Sequence, residues 1–245
     1  MSEKNLLQND SAAIQAEALA ADIAGRLSDA IDARGSARIA FSGGSTPHLM
    51  LAELAQLPVD WNAVEITLVD ERCVAEDDER SNAGMLRSAL LAKPGVQATF
   101  VPLFKPDESD AERAARLDAF TLPFDVVHLG MGGDAHTASF FPDAPNIDEM
   151  LDLQQPHRVM ITQSASSREQ RLTWSLRALL QTRYFVLQLV GEEKRAVLEQ
   201  VLVALGSATI DERQRRELPV LAFLEETELK KPDGVPGRVY CAVER

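Results

Sequence analysis

The order of apolar and polar positions along this chain follows two patterns. Residues 11–34 repeat apolar side chains at close to a 3.6-residue spacing, which predicts a long helix, and Gly35 is a natural end for it. Short apolar runs bounded by turn residues predict strands. The predicted strands are 38–41, 64–69, 100–103, 124–129, 158–162, 171–173, 184–190 and 237–243. The further predicted helices are 47–57, 82–91, 108–120, 174–180 and 192–205.

Strands and helices alternate along most of the chain. This alternation indicates βαβ units and predicts an α/β fold with an open, mostly parallel sheet and helices on both faces (Rossmann-like). The extended run 171–173 is expected to continue the sheet of 158–162. No linker rich in serine and glycine interrupts the chain, so residues 1–245 are predicted to form a single domain.

Polar residues collect where four predicted strands end. These segments are 42–46, 70–72, 130–136 and 191–194. The carboxyl ends of parallel strands lie along one edge of a sheet, where open α/β folds bind their ligands. We therefore expect the four segments to line one crevice that holds a small molecule.

Composition narrows the kind of partner. The 245 residues, 45% of them apolar, are enough to bury a full core. The net charge of −13 argues against nucleic acid or an anionic membrane as a partner, so a site for an anionic metabolite must concentrate its own arginine and lysine. The first ten residues lack a signal-peptide pattern, and no apolar run approaches the roughly 20 residues that span a bilayer. Cys73 and Cys241 lie far apart without a CxxC motif, which suggests neither a disulfide framework nor a zinc site, and the cytoplasm is the expected location.

The segment 129–142, LGMGGDAHTASFFP, carries the most informative chemistry. It follows an apolar strand and breaks into glycines, which allow close backbone approach to a ligand. Asp134 and His136 then present a carboxylate and an imidazole two positions apart. An imidazole in a polar loop suits proton transfer from water. His128, inside the apolar strand, is instead expected to be structural.

Three further segments each allow two interpretations. The run SGGSTP at 42–47 suits phosphate binding by amides and hydroxyls at a helix start, or an ordinary turn with a Ser or Thr cap. Arg72 directly follows a strand and suits pairing with an anion, with Asp70 orienting it or holding a histidine. Alternatively, both residues belong to a solvated acidic loop. Lys194, in GEEKR, either reaches a phosphate from the first turn of a helix or lies on the surface.

These motifs together resemble a known family. In order they are SGGSTP at 42–47, VDERCV at 69–74 with SNAGMLR at 81–87, GMGGDAHTASFFP at 130–142, RLT at 171–173 and GEEK at 191–194. The series is similar to the 6-phosphogluconolactonases of the pentose phosphate pathway, within the broader group that includes glucosamine-6-phosphate deaminase. The deaminases resemble HIAFNEP after the histidine and use that carboxylate in sugar ring opening, whereas Phe141 stands in its place here and favours the lactonases. Ala135 replaces the usual glycine of DGH, so the loop either keeps an ordinary φ there or accepts strain. The region after Leu218 matches loosely, and no functional residue is assigned in it.

The resemblance implies hydrolysis of 6-phospho-D-glucono-1,5-lactone to 6-phosphogluconate. Because a δ-lactone is already activated, the reaction needs a positioned water, a base and oxyanion donors, and neither a metal nor a cofactor is expected. The resemblance assigns His136 as the general base, with its ring oriented by Asp134 or Asp70. The backbone amides of Gly132 and Gly133 are the implied oxyanion donors. The residues implied to hold the phosphate are Ser45, Thr46, Arg72, Arg171 and Lys194, with Gly43 and Gly44 allowing close approach.

Two other functions are considered beside this one. The first is an aminosugar-phosphate isomerase-deaminase on the same scaffold, against which Phe141 counts. The second is a non-catalytic sugar-phosphate sensor, a class that usually carries a DNA-binding helix-turn-helix segment. The first 35 or so residues offer only one helix before the first strand, and the charge of −13 offers no basic face for DNA.

Overall fold

The computed structural model describes residues 5–243. Its strands are β1 (Leu6–Asn9), β2 (Ala37–Phe41), β3 (Val64–Leu68), β4 (Asp70–Arg72), β5 (Thr99–Phe100), β6 (Val126–Gly130), β7 (Val159–Thr162), β8 (Arg171–Trp174), β9 (Phe185–Val190) and β10 (Gly237–Ala242). Its α-helices are α1 (Ala12–Arg34), α2 (His48–Leu54), α3 (Asn82–Leu86), α4 (Asp110–Asp118), α5 (Ile147–Leu151), α6 (Leu176–Leu179), α7 (Glu192–Leu205), α8 (Glu212–Glu217) and α9 (Pro219–Leu224). A 3₁₀ turn lies at Trp61–Ala63, and a π-helical turn at Arg87–Leu91 extends α3.

Seven strands form the main sheet, in the order β1-β10-β9-β6-β2-β3-β5. Every pairing in this sheet is parallel. All six residues of β9 are buried, as expected for a central strand covered on both faces. The predicted α/β fold, with an open parallel sheet flanked by helices, is confirmed. The single domain over residues 1–245 stays a prediction, and residues 1–4 and 244–245 lie outside the described residues.

A second, antiparallel sheet has the order β4-β8-β7. The sequence predicts that the preceding strand ends at residue 69 and leaves an acidic loop as one interpretation of 70–72, but the structure has strand β4 there, with Arg72 opposite Arg171 on β8. The run 171–173 does pair with the strand at 159–162, although both lie in this small sheet and not in the main one. All four residues of β8 are buried, so this sheet is part of the core and not a surface loop.

Other elements also differ from the prediction. Strand β1 precedes α1 at the edge of the main sheet, and its four residues are too short a run to stand out in the sequence. Trp174 ends β8 instead of starting a helix, because its buried indole donates to the carbonyl of Leu68 at 2.9 Å. Helices α5, α8 and α9 are absent from the prediction, and α8 begins at a capping box formed by Asp211 and Gln214.

Helix α1 packs one apolar stripe into the core. Ser11 caps its start by accepting the Ile14 N–H, and Gly35 ends it with φ +77°. Ile14 is 49% exposed, whereas the neighbouring Gln15 is buried and donates to the carbonyl of Leu189 at 2.9 Å. Within residues 5–243, no helix has the length and apolar character needed to cross a bilayer.

Candidate active site

The ends of β2 and β6, strand β4 and the start of α7 line one cavity of about 240 Å³. All four polar segments expected at the sheet edge therefore contribute to it. The cavity brings together these predicted residues: Gly43, Gly44, Ser45, Thr46, Asp70, Arg72, Gly132, His136, Arg171 and Lys194. Of the remaining predicted residues, Asp134 and Gly133 lie outside its lining.

His136 lines the cavity and pairs with Asp134. Nδ1 of His136 lies 2.5 Å from Oδ1 of Asp134, and the same oxygen accepts the His136 backbone N–H at 3.2 Å. Burial raises the pKa of Asp134, but the hydrogen bond and charge of His136 outweigh it, so the net pKa lies below that of an ordinary carboxyl. This carboxylate favours the tautomer with its proton on Nδ1, which leaves Nε2 as the basic nitrogen.

Gly132 has no side chain, which leaves the space that the His136 ring and the Asp134 carboxylate occupy. A Cβ at Gly132 would lie 2.3 Å from the His136 ring atoms Nδ1 and Cε1 and 2.7 Å from Oδ1 of Asp134, so no other residue fits without displacing them. The Gly132 N–H donates to the His136 carbonyl at 2.9 Å. Because this amide is used within the loop, its prediction as an oxyanion donor is wrong for this conformation, and Gly133 stays the candidate of the two.

Ala135, which replaces the usual glycine of the motif, has the strained backbone and not the ordinary φ. Its φ is +62°, and Ala138 in the same loop has φ +48°. The Val220 N–H, in the first turn of α9, donates to the Ala135 carbonyl at 3.0 Å. Strained residues persist where surrounding contacts hold them, and they cluster at functional sites. The loosely matched region after Leu218 therefore supports the loop that carries His136.

Arg72 and Arg171 form a cationic pair across β4 and β8. Their side chains are 23% and 11% exposed, and both line the cavity. Oε1 of Glu169 lies 3.1 Å from Nη2 of Arg171 and 4.0 Å from Nε of Arg72. Over the described ranges, both Nε atoms are buried without a hydrogen-bond acceptor. Like charges placed opposite each other destabilise a sheet, and buried unpaired donors are rare, so this pair suits an anionic ligand.

Asp70 lies beside this arginine pair and not beside His136. Its Oδ2 accepts the Ser139 hydroxyl at 2.6 Å and lies 3.4 Å from Nη1 of Arg171. Of the two carboxylates predicted to orient the histidine, the structure pairs Asp134 with it, and Asp70 instead ties the turn after the histidine to β8. Asp70 is also buried, so its interpretation as part of a solvated acidic loop is wrong.

Lys194 lies in the cavity wall and not on the open surface. Its Nζ lies 3.5 Å from Oγ1 of Thr46, which joins the start of α7 to the loop after β2. The two segments GEEKR and SGGSTP, far apart in sequence, therefore meet at this point. The cavity thus has three cationic side chains in its wall: Lys194, Arg72 and Arg171.

Sequence reasoning did not single out Asn82 and Gln188, which also line the cavity. Asn82 donates to the Asp70 carbonyl at 2.9 Å, and a Cβ on Gly43 would lie 1.9 Å from its Oδ1. Gln188 accepts a hydrogen bond from Nε2 of His128 at 3.0 Å, and burial lowers the pKa of His128 to about 4. His128 is thus a buried neutral residue, as its place in an apolar strand predicts. The signal for Gln188 was a lone polar residue within the apolar run of β9.

The two cysteines are both free. Burial raises the pKa of the Cys73 and Cys241 thiols, so neither is activated as a nucleophile. In the part of the chain that the structure describes, no three His, Cys, Asp or Glu side chains are grouped as metal ligands would be. The expectation that neither a metal nor a cofactor takes part stays a prediction.

Comparison with known proteins places this arrangement in a family. The family model for glucosamine-6-phosphate isomerases/6-phosphogluconolactonase matches residues 10–229. The chain belongs to this family. A 6-phosphogluconolactonase of Rhizobium meliloti is 40% identical over 224 residues, which cover 90% of this chain and 92% of that protein. One of Pseudomonas aeruginosa is 39% identical over 218 residues, covering 87% and 88%.

Solved structures agree with the sequence matches. The crystal structure of a 6-phosphogluconolactonase from Shewanella baltica is similar to this chain with a TM-score of 0.85, at 33% identity and over 98% of each chain. The family resemblance inferred from the motifs is therefore confirmed. The family match includes every motif between residues 42 and 194.

Proposed function

We propose that this chain hydrolyses 6-phospho-D-glucono-1,5-lactone to 6-phosphogluconate. The observation that carries the proposal is that His136 and the cationic pair Arg72 and Arg171 line one cavity, with Asp134 hydrogen-bonded to the histidine. The first suits activation of water, and the second suits a phosphate. The family and the names of its relatives at 39–40% identity support the same substrate.

His136 acts as the general base in this proposal. Nε2 removes a proton from water while the water oxygen attacks the lactone carbonyl, and a tetrahedral oxyanion forms. Collapse of this intermediate breaks the bond to the ring oxygen, which takes the proton back from the imidazolium and becomes the hydroxyl of the open-chain acid. Asp134 keeps the ring oriented and stabilises its protonated form. The Gly133 amide, which follows Gly132 at the cavity wall, is the donor to the oxyanion that the resemblance implies.

The phosphate is proposed to bind between the small sheet and the start of α7. The planar guanidinium groups of Arg72 and Arg171 suit paired hydrogen bonds to phosphate oxygens, and Lys194 adds a third positive charge. Their concentration supplies the local charge that an acidic chain must provide for an anionic substrate. The loop with Gly43, Gly44, Ser45 and Thr46 contributes hydroxyls and close backbone approach.

The test is the initial rate of lactone hydrolysis, measured with freshly generated substrate, with EDTA present and with the spontaneous rate subtracted. His136→Ala should lower kcat by about 10²–10⁴-fold, the usual loss for a general base. The matched control is His157→Ala, which removes an exposed histidine from outside the cavity and should leave kcat unchanged. A His136→Ala enzyme with near wild-type kcat would refute the assignment of the base.

Two other functions are separated by the same preparation. Release of ammonia from glucosamine 6-phosphate would indicate the isomerase-deaminase activity, and binding of sugar phosphate without any turnover would indicate a sensor. We further propose that the enzyme acts in the cytoplasm on a small-molecule substrate and without a nucleic-acid partner, in line with the net charge of −13.

A further inference from the structure

One aromatic ring contacts both the histidine and one arginine of the site. The ring centroids of Phe141 and His136 lie 4.3 Å apart with an interplanar angle of 31°. Cζ of Arg171 lies 5.1 Å from the Phe141 centroid, within the range of a cation–π contact. Phe141 is only 5% exposed, so this contact is shielded from water. The ring itself lies outside the lining of the cavity.

The turn that carries Phe141 is held by hydrogen bonds on both sides. The Phe141 N–H donates to the Ser139 carbonyl at 3.1 Å, and the Ser139 hydroxyl donates to Asp70. The Thr137 hydroxyl donates to the carbonyl of Gly130, at the end of β6, at 2.8 Å. The backbone of this turn is therefore fixed to both sheets, and the position of the ring follows from it.

We propose that Phe141 is a positioning residue that couples the base to the phosphate-binding arginine. The inference rests on the proposed function of His136. Stacking against Phe141 limits the rotation of the imidazole, and the same ring holds the guanidinium of Arg171 in place through a cation–π contact. The ring thereby fixes the separation between the group that activates water and a group that holds the phosphate.

The electron-rich face of Phe141 has a second effect during the reaction. His136 becomes an imidazolium when it takes the proton from water, which places a second positive charge near Arg171. The face of an aromatic ring attracts a cation, so Phe141 favours the protonated histidine more than an aliphatic side chain of similar volume would. Its contribution therefore belongs to the transition state and should appear in kcat.

Two replacements separate packing from the effect of the ring face. Phe141→Leu keeps an apolar side chain and should lower kcat about tenfold. KM should rise a few-fold, because Arg171 loses its cation–π contact with the ring. Site-specific replacement of Phe141 by 3,4,5-trifluorophenylalanine keeps the shape but weakens the negative face, and it should lower kcat about threefold without lowering Tm. The matched control is Phe140→Leu, which removes a fully buried ring next in the chain and should lower Tm but not kcat.

These experiments separate a failure of the role proposed for Phe141 from a failure of the proposed function. If His136→Ala retains full turnover, the base assignment itself is wrong. If His136→Ala is inactive but the trifluorinated enzyme shows wild-type kcat, the effect of the ring face is refuted. Wild-type kcat and KM in Phe141→Leu would overturn the positioning role as a whole.

Discussion

Replacing Gly132 by alanine tests how closely activity depends on the position of His136. Gly132 has no positive φ, so alanine is compatible with its backbone, and the loop is expected to fold. The added Cβ would lie 2.3 Å from two atoms of the imidazole. The perturbation is therefore a local displacement of the proposed base with its chemistry left intact.

The size of the displacement follows from the contact distances. Ordinary van der Waals contact begins near 3.4 Å, so the ring must move by roughly 1 Å. Asp134 resists this movement, because its Oδ1 would also lie 2.7 Å from the new Cβ. A misplacement of about 1 Å at a reacting group costs on the order of 10²-fold in rate. We therefore expect kcat of Gly132→Ala to fall about 10²-fold.

The assay is lactone hydrolysis with kcat and KM determined separately, alongside a thermal melt. KM should change little, because the atoms nearest to the added Cβ belong to His136 and Asp134 and not to the arginines proposed to hold the phosphate. The control is Gly25→Ala in the exposed middle of α1, where an added Cβ meets no atom within 4 Å. It should raise the free energy of unfolding by about 1 kcal/mol and leave kcat unchanged. A Gly132→Ala enzyme that folds and turns over at the wild-type rate would refute the link between this contact and activity.

Three further predictions concern the same site. Asp134→Asn should lower kcat by about 10²-fold or more with the fold intact, because an amide no longer favours the productive tautomer of His136; unchanged kcat would contradict this. Arg171→Lys should raise KM about tenfold with a smaller change in kcat, since one ammonium replaces a paired contact; an unchanged KM for the phosphorylated lactone would count against the phosphate role. His128, with a folded pKa of about 4, should contribute stability that is complete above the unfolded value near 6.5 and is lost as pH falls toward 4. Between pH 6.5 and 4, the free energy of unfolding from urea melts should therefore fall by about 3 kcal/mol more in wild type than in His128→Leu. An equal fall in both proteins would exclude this contribution.

The central strands of the main sheet could be predicted from sequence because they are buried on both faces. A run such as 185–190 is apolar except for Gln188, and alternation with helices implies parallel pairing whatever the order of the strands. The convergence of the four polar segments follows from the same rule, since parallel strands end along one edge. The place of β4 in the small sheet was not predictable in this way, because β4 is three residues long and pairs with a strand far away in sequence.

The sequence predicted which residues form the candidate site, but not which of them are hydrogen-bonded to each other. Asp134 and Asp70 are both carboxylates near the histidine in the predicted topology, and only the folded loop shows which of them reaches its ring. The use of the Gly132 amide by the His136 carbonyl is likewise a property of loop geometry. Ala135, with its positive φ, accepts a hydrogen bond from α9, a helix that no motif indicates.

The opposition of Arg72 and Arg171 has a consequence for the lifetime of the protein. The two cations lie opposite each other across paired strands with the carboxylate of Glu169 near both, and a phosphate bound by both arginines would add further negative charge that stabilises this arrangement. A ligand that binds only the folded state adds about 2.7 kcal/mol of stability at a concentration 100 times its Kd. The abundance of phosphorylated sugar in the surroundings would thereby set how long each molecule resists unfolding and proteolysis, so that supply of substrate protects the catalyst that consumes it.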